Sequence, residues 1–442
     1  MKLVPSPLLL AVVALAAIPA LTFALAAYMV IPSVGVLAVM VAVAGFDAMG
    51  GARRLRSVSA TGPALVRLWK DREGEFDLTL NNAARTQRTI RVGLAFPDAI
   101  STPEETREIE LPPGTERSHV TWKCTGRRRG KYAVEHGAIE ISSPLRLWLV
   151  RKRTPVETEI RVYPTLTSEQ KKAPYLFMRR AQVGLHIHRQ VGKGREFEKL
   201  REYMPGDGFD EIDWKATARR GHPITRVFQV ERTQEVYVIL DASRLTARPV
   251  EDGGATILER NVTASLLLAL AAEKRGDLFG LVTFSDRVHS FVRARSGKAH
   301  YGACRDALYA LEPRIVSPDW DDVCTMLRLR LRRRALLVFL TELDDPVLAE
   351  SFQKNVSLLR RQHLVMVGMA RPREAQPAFE DSLVDNLADV YGRLAGQILW
   401  TKLRELGKTL ERQGVRFALL EPGRAGVQLA SLYADIKQRQ LL

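Results

Sequence analysis

Cysteine is nearly absent from this 442-residue chain, with Cys124, Cys304 and Cys324 as its whole complement. They are odd in number, far apart and outside any C-x-x-C pairing, which excludes a disulfide framework and a zinc ribbon and fits a reducing compartment. A phosphate-binding loop is missing too, because Gly192-Lys193-Gly194 lacks the lysine-serine step that would follow it. No G-x-S-x-G elbow and no activated cysteine setting occurs. Basic residues cluster at Arg53-Arg54, Arg127-Arg128-Arg129, Arg151-Lys152-Arg153 and Arg332-Arg333-Arg334, but no aromatics are interleaved at the spacing of an RNA or DNA module. The formal charge of +16 is therefore read as affinity for a cytoplasmic membrane surface, with no nucleic acid as partner. These absences leave a non-enzymatic protein as the expectation.

What the chain does have is an uneven share of apolar residues in its first fifty positions. Residues 7 to 46 are nearly uncharged over twice the roughly 20 residues that one helical crossing of a bilayer needs. Two spans are expected, about 7–28 and 33–49, with a turn at Pro32-Ser33 and Pro19 tolerated as a kink. Lys2 stands at one end and Arg53, Arg54 and Arg56 at the other. By the positive-inside rule both ends face the cytoplasm, which makes residues 1–56 a transmembrane hairpin and puts the soluble remainder inside the cell. A cleaved signal peptide, for which Ala24-Leu25-Ala26 offers small residues, has too short an apolar core to account for this run.

Residues 60–165 alternate with period two in short runs, such as Phe76-Asp77-Leu78-Thr79-Leu80 and Thr89-Ile90-Arg91-Val92. Breaks at Asn81-Asn82 and Pro112-Pro113-Gly114 separate them, so a β-sandwich-like domain of antiparallel strands is expected. Residues 166–231 read as a polar, basic connector; His186 and His188 within it have no third metal ligand near in sequence. From 232 to 375 strands and helices alternate, which demands a parallel sheet with right-handed crossovers. Residues 376–442 extend this α/β domain by a helix, a strand and a helix.

Two buried strands end in acids, one at Asp241-Ala242-Ser243 and one at Thr341-Glu342-Leu343-Asp344-Asp345. Ligands of such sheets sit at the carboxyl ends of strands, and carboxylates with hydroxyls offer hard oxygens that suit Mg²⁺. Asp241, Ser243 and Asp344 are the candidate ligands; alternatively Asp241 and Ser243 cap the following turn by accepting from backbone amides. Asp207, Asp210 and Asp213, spaced by three, look like a carboxylate row for two-metal hydrolysis. The turn at their start spoils helical periodicity, and no histidine or lysine accompanies them as base.

The stretch from Gly192 to Gly221 packs charges of both signs between glycines, with Tyr203 and Trp214 as aromatic anchors. Pro205-Gly206-Asp207-Gly208 is strong turn chemistry that should bring the acidic arm, Glu196, Glu198 and Glu202, near the basic arm, Lys215, Arg219 and Arg220. Its motifs Gly194-Arg195-Glu196-Phe197, Leu200-Arg201-Glu202-Tyr203, Pro205-Gly206-Asp207 and Ile212-Asp213-Trp214-Lys215-Ala216-Thr217-Ala218-Arg219 resemble the signature block of the domain of unknown function 58 family. Arg129-Gly130-Lys131-Tyr132 and Ser143-Pro144-Leu145 fall where that family tends to have a turn and a serine-proline step. The resemblance implies a membrane-anchored bacterial protein with a von Willebrand factor A-like domain and a MoxR-type AAA+ ATPase as partner. The residues expected to meet that partner are Arg195, Glu196, Phe197, Arg201, Glu202, Tyr203, Gly206, Asp207, Asp213, Trp214, Lys215 and Arg219. The metal-ion-dependent adhesion site of von Willebrand A-like domains begins Asp-x-Ser-x-Ser, and here the chain departs from it. Leu245 stands where the second serine would be, Thr246 is one residue late, and the Arg295-Ser296-Gly297-Lys298 loop offers only Ser296 in place of a threonine. A degenerate site is implied, with Mg²⁺ as its cation if it binds one; a cation-dependent adhesion-type ligand binder is the alternative function.

Overall fold

A computed structural model describes residues 1–24, 30–166, 191–204, 208–209, 212–229, 233–250, 254–377 and 387–439. Two compact units, Met1–Thr165 and Leu166–Leu442, divide the chain. His186 and His188, together with Gly206, Asp207 and Asp210, lie outside the described residues.

The first unit opens with a short strand, β1 (Lys2–Pro5), and an apolar helix, α1 (Pro7–Ala24). Ser6 caps α1, its Oγ accepting from the Leu9 amide at 3.2 Å, and Pro7 follows at the first helical position, where a missing N–H costs nothing. A second helix, α2, runs from Val30 to Arg56. It takes in Pro32 and Ser33, so the reversal does not fall there. Proline is compatible with the first turn of a helix because its missing donor would be unpaired there anyway. Among the described residues one helix, Val34–Arg56, is long and apolar enough to cross a membrane, with mean hydropathy 1.9.

Two sheets then enclose one apolar core. The first has the strand order β1, β10 (Trp148–Tyr163), β9 (Gly130–Ser142), β5 (Arg88–Leu94), β7 (Thr106–Leu111), with β3 (Leu65–Trp69) also pairing β10. The second runs β2 (Val58–Thr61), β4 (Glu73–Asn82), β8 (Arg117–Gly126), β6 (Ile100–Ser101). Alternation does what the sequence requires: Phe76, Leu78 and Leu80 of β4 are fully buried with Trp122 and Val92 between the sheets. The ladder between β9 and β10 shifts register between Pro155 and Thr158, where proline has no N–H to donate. Beyond that bulge β10 also pairs β3 in parallel.

The second unit carries a two-stranded ribbon, β11 (Val191–Glu202) and β12 (Ile224–Gln229), with a short helix, α3 (Trp214–Arg220), between them. A six-stranded sheet follows in the order β15 (Val288–Arg295), β14 (Leu278–Phe284), β13 (Glu235–Asp241), β16 (Ala335–Leu340), β17 (Leu364–Ala370), β18 (Val415–Leu420). Its pairings are parallel except at β14 and β15. Taken from β13, this is the 3-2-1-4-5-6 order of doubly wound α/β folds. Adjacent residues of β13 feed opposite cores: Val236, Val238 and Leu240 pack on one face with α4 (Ile257–Lys274) and α9 (Ala425–Gln438). Tyr237 and Ile239 pack on the other with α6 (Trp320–Arg330), α7 (Pro346–Leu359) and α8 (Leu387–Arg412). The remaining helix is α5 (Lys298–Leu308). Gly280 of β14 has a packing reason, since a Cβ there would meet the Tyr237 ring at 2.3 Å. The last helix is tied to the start of the sheet by buried Asp277, which accepts from the Gln234 amide at 3.1 Å, from Lys437 Nζ at 2.7 Å and from the Tyr433 hydroxyl.

Candidate functional site

The switch in strand order lies between β13 and β16, and their in-register pairing, Leu240 opposite Leu340, puts Asp241 beside Thr341 at the carboxyl ends. The Asp241 carboxylate, fully buried, accepts from Thr341 Oγ1 at 2.6 Å and from the Ser243 amide at 2.7 Å. Ser243 Oγ accepts in turn from the Leu245 amide at 3.3 Å. Both side chains thus cap the turn that leaves the strand. Thr246, expected to face elsewhere, is buried and folds back, donating to the Asp241 carbonyl at 2.9 Å. Asp344 is held by a bidentate partner, with Arg248 Nη1 at 2.7 Å and Nη2 at 3.3 Å.

Glu342, absent from the sequence-based candidates, is wholly buried and accepts from the Ala370 amide at 3.0 Å. Burial pushes its carboxyl up to about 8 against the pull of that amide and of Arg248, and burial likewise raises the Asp241 carboxyl. The donor set does not fit a divalent cation: Asp344 already faces a guanidinium, and one Asp241 oxygen faces the Thr341 hydroxyl. No group of three or more His, Cys, Asp or Glu side chains suited to a metal occurs among the described residues. The cysteine thiols offer no nucleophile, since burial pushes Cys124 up to about 11 and Cys304 and Cys324 up to about 12.

The signature stretch is built on a different plan. Its seven-residue helix, α3, is far too short to persist on propensity, and none of its residues is buried. It is held at its ends. Asp213 Oδ1 accepts from the Ala216 amide at 3.0 Å, and Gly221 closes the helix in a left-handed conformation, φ 75°, its N–H donating to the Thr217 carbonyl. The Asp213 amide donates to the Ile224 carbonyl at 2.8 Å, and the Ile224 amide to Thr217 Oγ1 at 3.0 Å, fastening α3 to β12. Apolar side chains are left in solvent: Phe209 is 76% exposed, Trp214 66% and Met204 61%. Tyr203 and Phe209 bring their ring centroids to 6.4 Å.

Residues 199–381 match the family described as protein of unknown function DUF58. The match opens in β11 and closes beyond β17, so it takes in both the short helix and the strand ends. An uncharacterized protein of Mycobacterium tuberculosis is 24% identical over 198 residues, 44% of this chain and 60% of that protein's length. The chain thus spans less than two thirds of the curated relatives it first matches. Solved structures that it resembles include the SpRpn10 VWA domain, 8% identical over 45% of this chain and 94% of that one, with a TM-score of 0.28. Another is an aerotolerance-related membrane protein from Bacteroides fragilis carrying mutations to serines, 12% identical over 46% of this chain and 98% of that one, with a TM-score of 0.27.

Within the matched segment the expected approach of acidic and basic arms takes a specific form. Glu202 pairs with His222 at 3.5 Å and Asp213 with Arg226 at 3.6 Å, so the bases engaged come from beyond the helix. Lys215 and Arg219 stay exposed on α3. Arg201 donates to the Glu202 carbonyl at 3.4 Å, and the backbone of Arg195, Glu196 and Phe197 belongs to β11. Sequence reasoning missed Thr341, Glu342 and Arg248. The two strand-end residues stood in a motif already noticed, but Arg248 is 96 positions from Asp344 in a loop with no pattern to mark it.

Proposed function

We propose that the chain is a non-catalytic, membrane-tethered docking protein whose DUF58 segment receives a protein partner on the surface formed by Met204, Phe209, Trp214, Lys215 and Arg219. The observation that carries this is α3, a helix capped at both ends that buries none of its own residues and displays Trp214. Large apolar side chains exposed beside charge mark interaction sites, and Trp and Arg are among the residues that most often dominate binding. The resemblance read from the signature block supplies the partner: a MoxR-type AAA+ ATPase.

The tether in this reading is a two-helix hairpin in the cytoplasmic membrane of a bacterium, with the soluble parts in the cytoplasm. Support comes from the junction. Ser6, just ahead of α1, and Asp47 of α2 both bond the same turn, Ser143–Leu147, so both helices leave the β-sandwich at one place. Lys2 and the arginines that close α2 fit a cytoplasmic setting for that end.

Affinity capture from solubilised membranes with the full chain as bait tests the docking role. A hexameric ATPase retained by wild type and lost with Trp214→Ala is the expected result. Equal recovery with both baits, or no ATPase with either, would overturn it.

A further inference from the structure

The junction between helices and sandwich carries more than a tether. Asp47, 1% exposed, accepts from the Leu145 amide at 2.7 Å, from the Leu147 amide at 3.2 Å and from the Ser143 hydroxyl. Ser6 Oγ donates to the Arg146 carbonyl at 2.6 Å, and Trp148 Nε1 donates to the Ala44 carbonyl at 2.9 Å. The apolar helices therefore leave the protein at Ser6 and Ala44. Beyond those points α1 offers eighteen residues, Pro7–Ala24, or ~27 Å, and α2 about fourteen from Val30, or ~21 Å. A bilayer's hydrocarbon core is about 30 Å thick. Neither described stretch is longer than that core is thick, which sets the bilayer edge close to the turn itself.

The turn is dressed for that position. Leu145 is 54% exposed, while Phe46 and Met49, flanking the Asp47 clamp on α2, are 78% and 58% exposed. Arg146 is exposed on the same turn and sits in the left-handed region at φ 61°, a conformation that a non-glycine residue keeps only when its surroundings enforce it. The one acid here, Asp47, is fully taken up by its three donors.

We propose that the Ser143–Leu147 turn is seated in the headgroup layer of an anionic phospholipid bilayer, Leu145 entering beside Phe46 and Arg146 pairing with lipid phosphate. This rests on the membrane reading above. The test uses full-length protein in vesicles of phosphatidylglycerol and phosphatidylcholine, with an environment-sensitive fluorophore on Leu145→Cys or on Arg128→Cys. The native cysteines are all buried and stay unlabelled. Arg128 adjoins the far end of β9, thirteen residues or ~40 Å along the strand from the turn. A lipid-borne quencher near the headgroups should reduce emission from position 145 by about twofold or more and leave position 128 unchanged, and Arg146→Glu should weaken the effect on anionic vesicles. Protein that floats with vesicles yet is equally open to aqueous iodide at both positions would overturn this proposal and leave the tether standing. Protein that fails to float would overturn both.

Discussion

Two acid-rich places in the segment that matches the DUF58 family, the strand ends and the stretch around α3, were built from similar residues and came out opposite. At the strand ends every candidate side chain turns inward: Asp241 is held by Thr341 and the Ser243 amide, Ser243 by the next turn, Asp344 by Arg248. Around α3 two of the described acids serve as scaffolding, Asp213 capping the helix and Glu202 meeting His222, and Phe209 and Trp214 are turned out. A polar cluster buried among its own partners rigidifies a fold. An apolar side chain kept in water by capping bonds makes sense only if something else covers it. On the docking proposal the first place serves structure and the second recognition, and the contrast can be broken from either side.

The largest expected effect is at Glu342. Its carboxyl is pushed up to about 8 in the folded chain against about 4.3 when unfolded. The folded state therefore holds the proton more tightly, and this contribution is fully present below about pH 4.3 and lost as pH rises to about 8. Between about pH 6 and pH 8 that amounts to roughly 2–3 kcal/mol, an order-of-magnitude figure at about 1.4 kcal/mol per unit. Urea unfolding of wild type should show the α/β domain weakening across this window, while Glu342→Gln should lose most of that slope. Matching slopes would mean that water reaches the strand ends and that the closed description is wrong.

Next in size is Trp214→Ala. Loss of a binding anchor costs about 2 kcal/mol or more, roughly thirtyfold in affinity, whereas an unburied residue has little to give to stability. Partner capture should collapse with the unfolding midpoint unmoved. A fall in the midpoint by several degrees would show that Trp214 is covered by the protein's own residues. Asp213→Ala follows at about 1 kcal/mol, the usual cost of a lost N-cap. It should raise amide exchange within α3 alone and weaken capture less than Trp214→Ala does; an effect on exchange in the six-stranded sheet would count against a local role.

Much of this was legible in the chain. Period-two runs marked β4, β5, β7 and β8, because those strands have one face in the core, and continuous apolar runs marked β13 and β16, which are covered on both faces. β10 was hidden, since Arg151, Lys152 and Arg153 break the alternation as a basic cluster and Pro155 has no N–H for a ladder. Its charges are carried on the exposed side, Arg151 pairing with Glu140 of β9 at 2.7 Å, and its proline is absorbed by the bulge. At the strand ends the chain showed which oxygens were available but not which were already engaged. Thr341 reaches Asp241 across 100 positions and Arg248 reaches Asp344 across 96, and such contacts are fixed by sheet order, which local pattern does not carry. Trp214 was noticed as an anchor, but its exposure follows from how few neighbours a seven-residue helix beside a two-stranded ribbon acquires.

The smallest expected effect is the response to Mg²⁺, and it discriminates best between docking and cation-dependent adhesion. A cation that binds only the folded state stabilises by RT ln(1 + [L]/Kd), so at a concentration well below Kd the gain is under about 0.3 kcal/mol. With a guanidinium bonded to Asp344 and a hydroxyl to Asp241, wild type should show no shift in unfolding midpoint between excess chelator and about 5 mM Mg²⁺. Arg248→Ala sharpens the test. The pair is partly open to solvent, with 49% of the Arg248 side chain and 25% of the Asp344 side chain accessible, so losing the pair itself should cost no more than about 1 kcal/mol. The freed carboxylate should then make the variant, and not wild type, respond to the cation. A wild-type shift of about 1 kcal/mol or more would mean that Arg248 yields to the metal, and the strand ends would have to be read as a binding site after all.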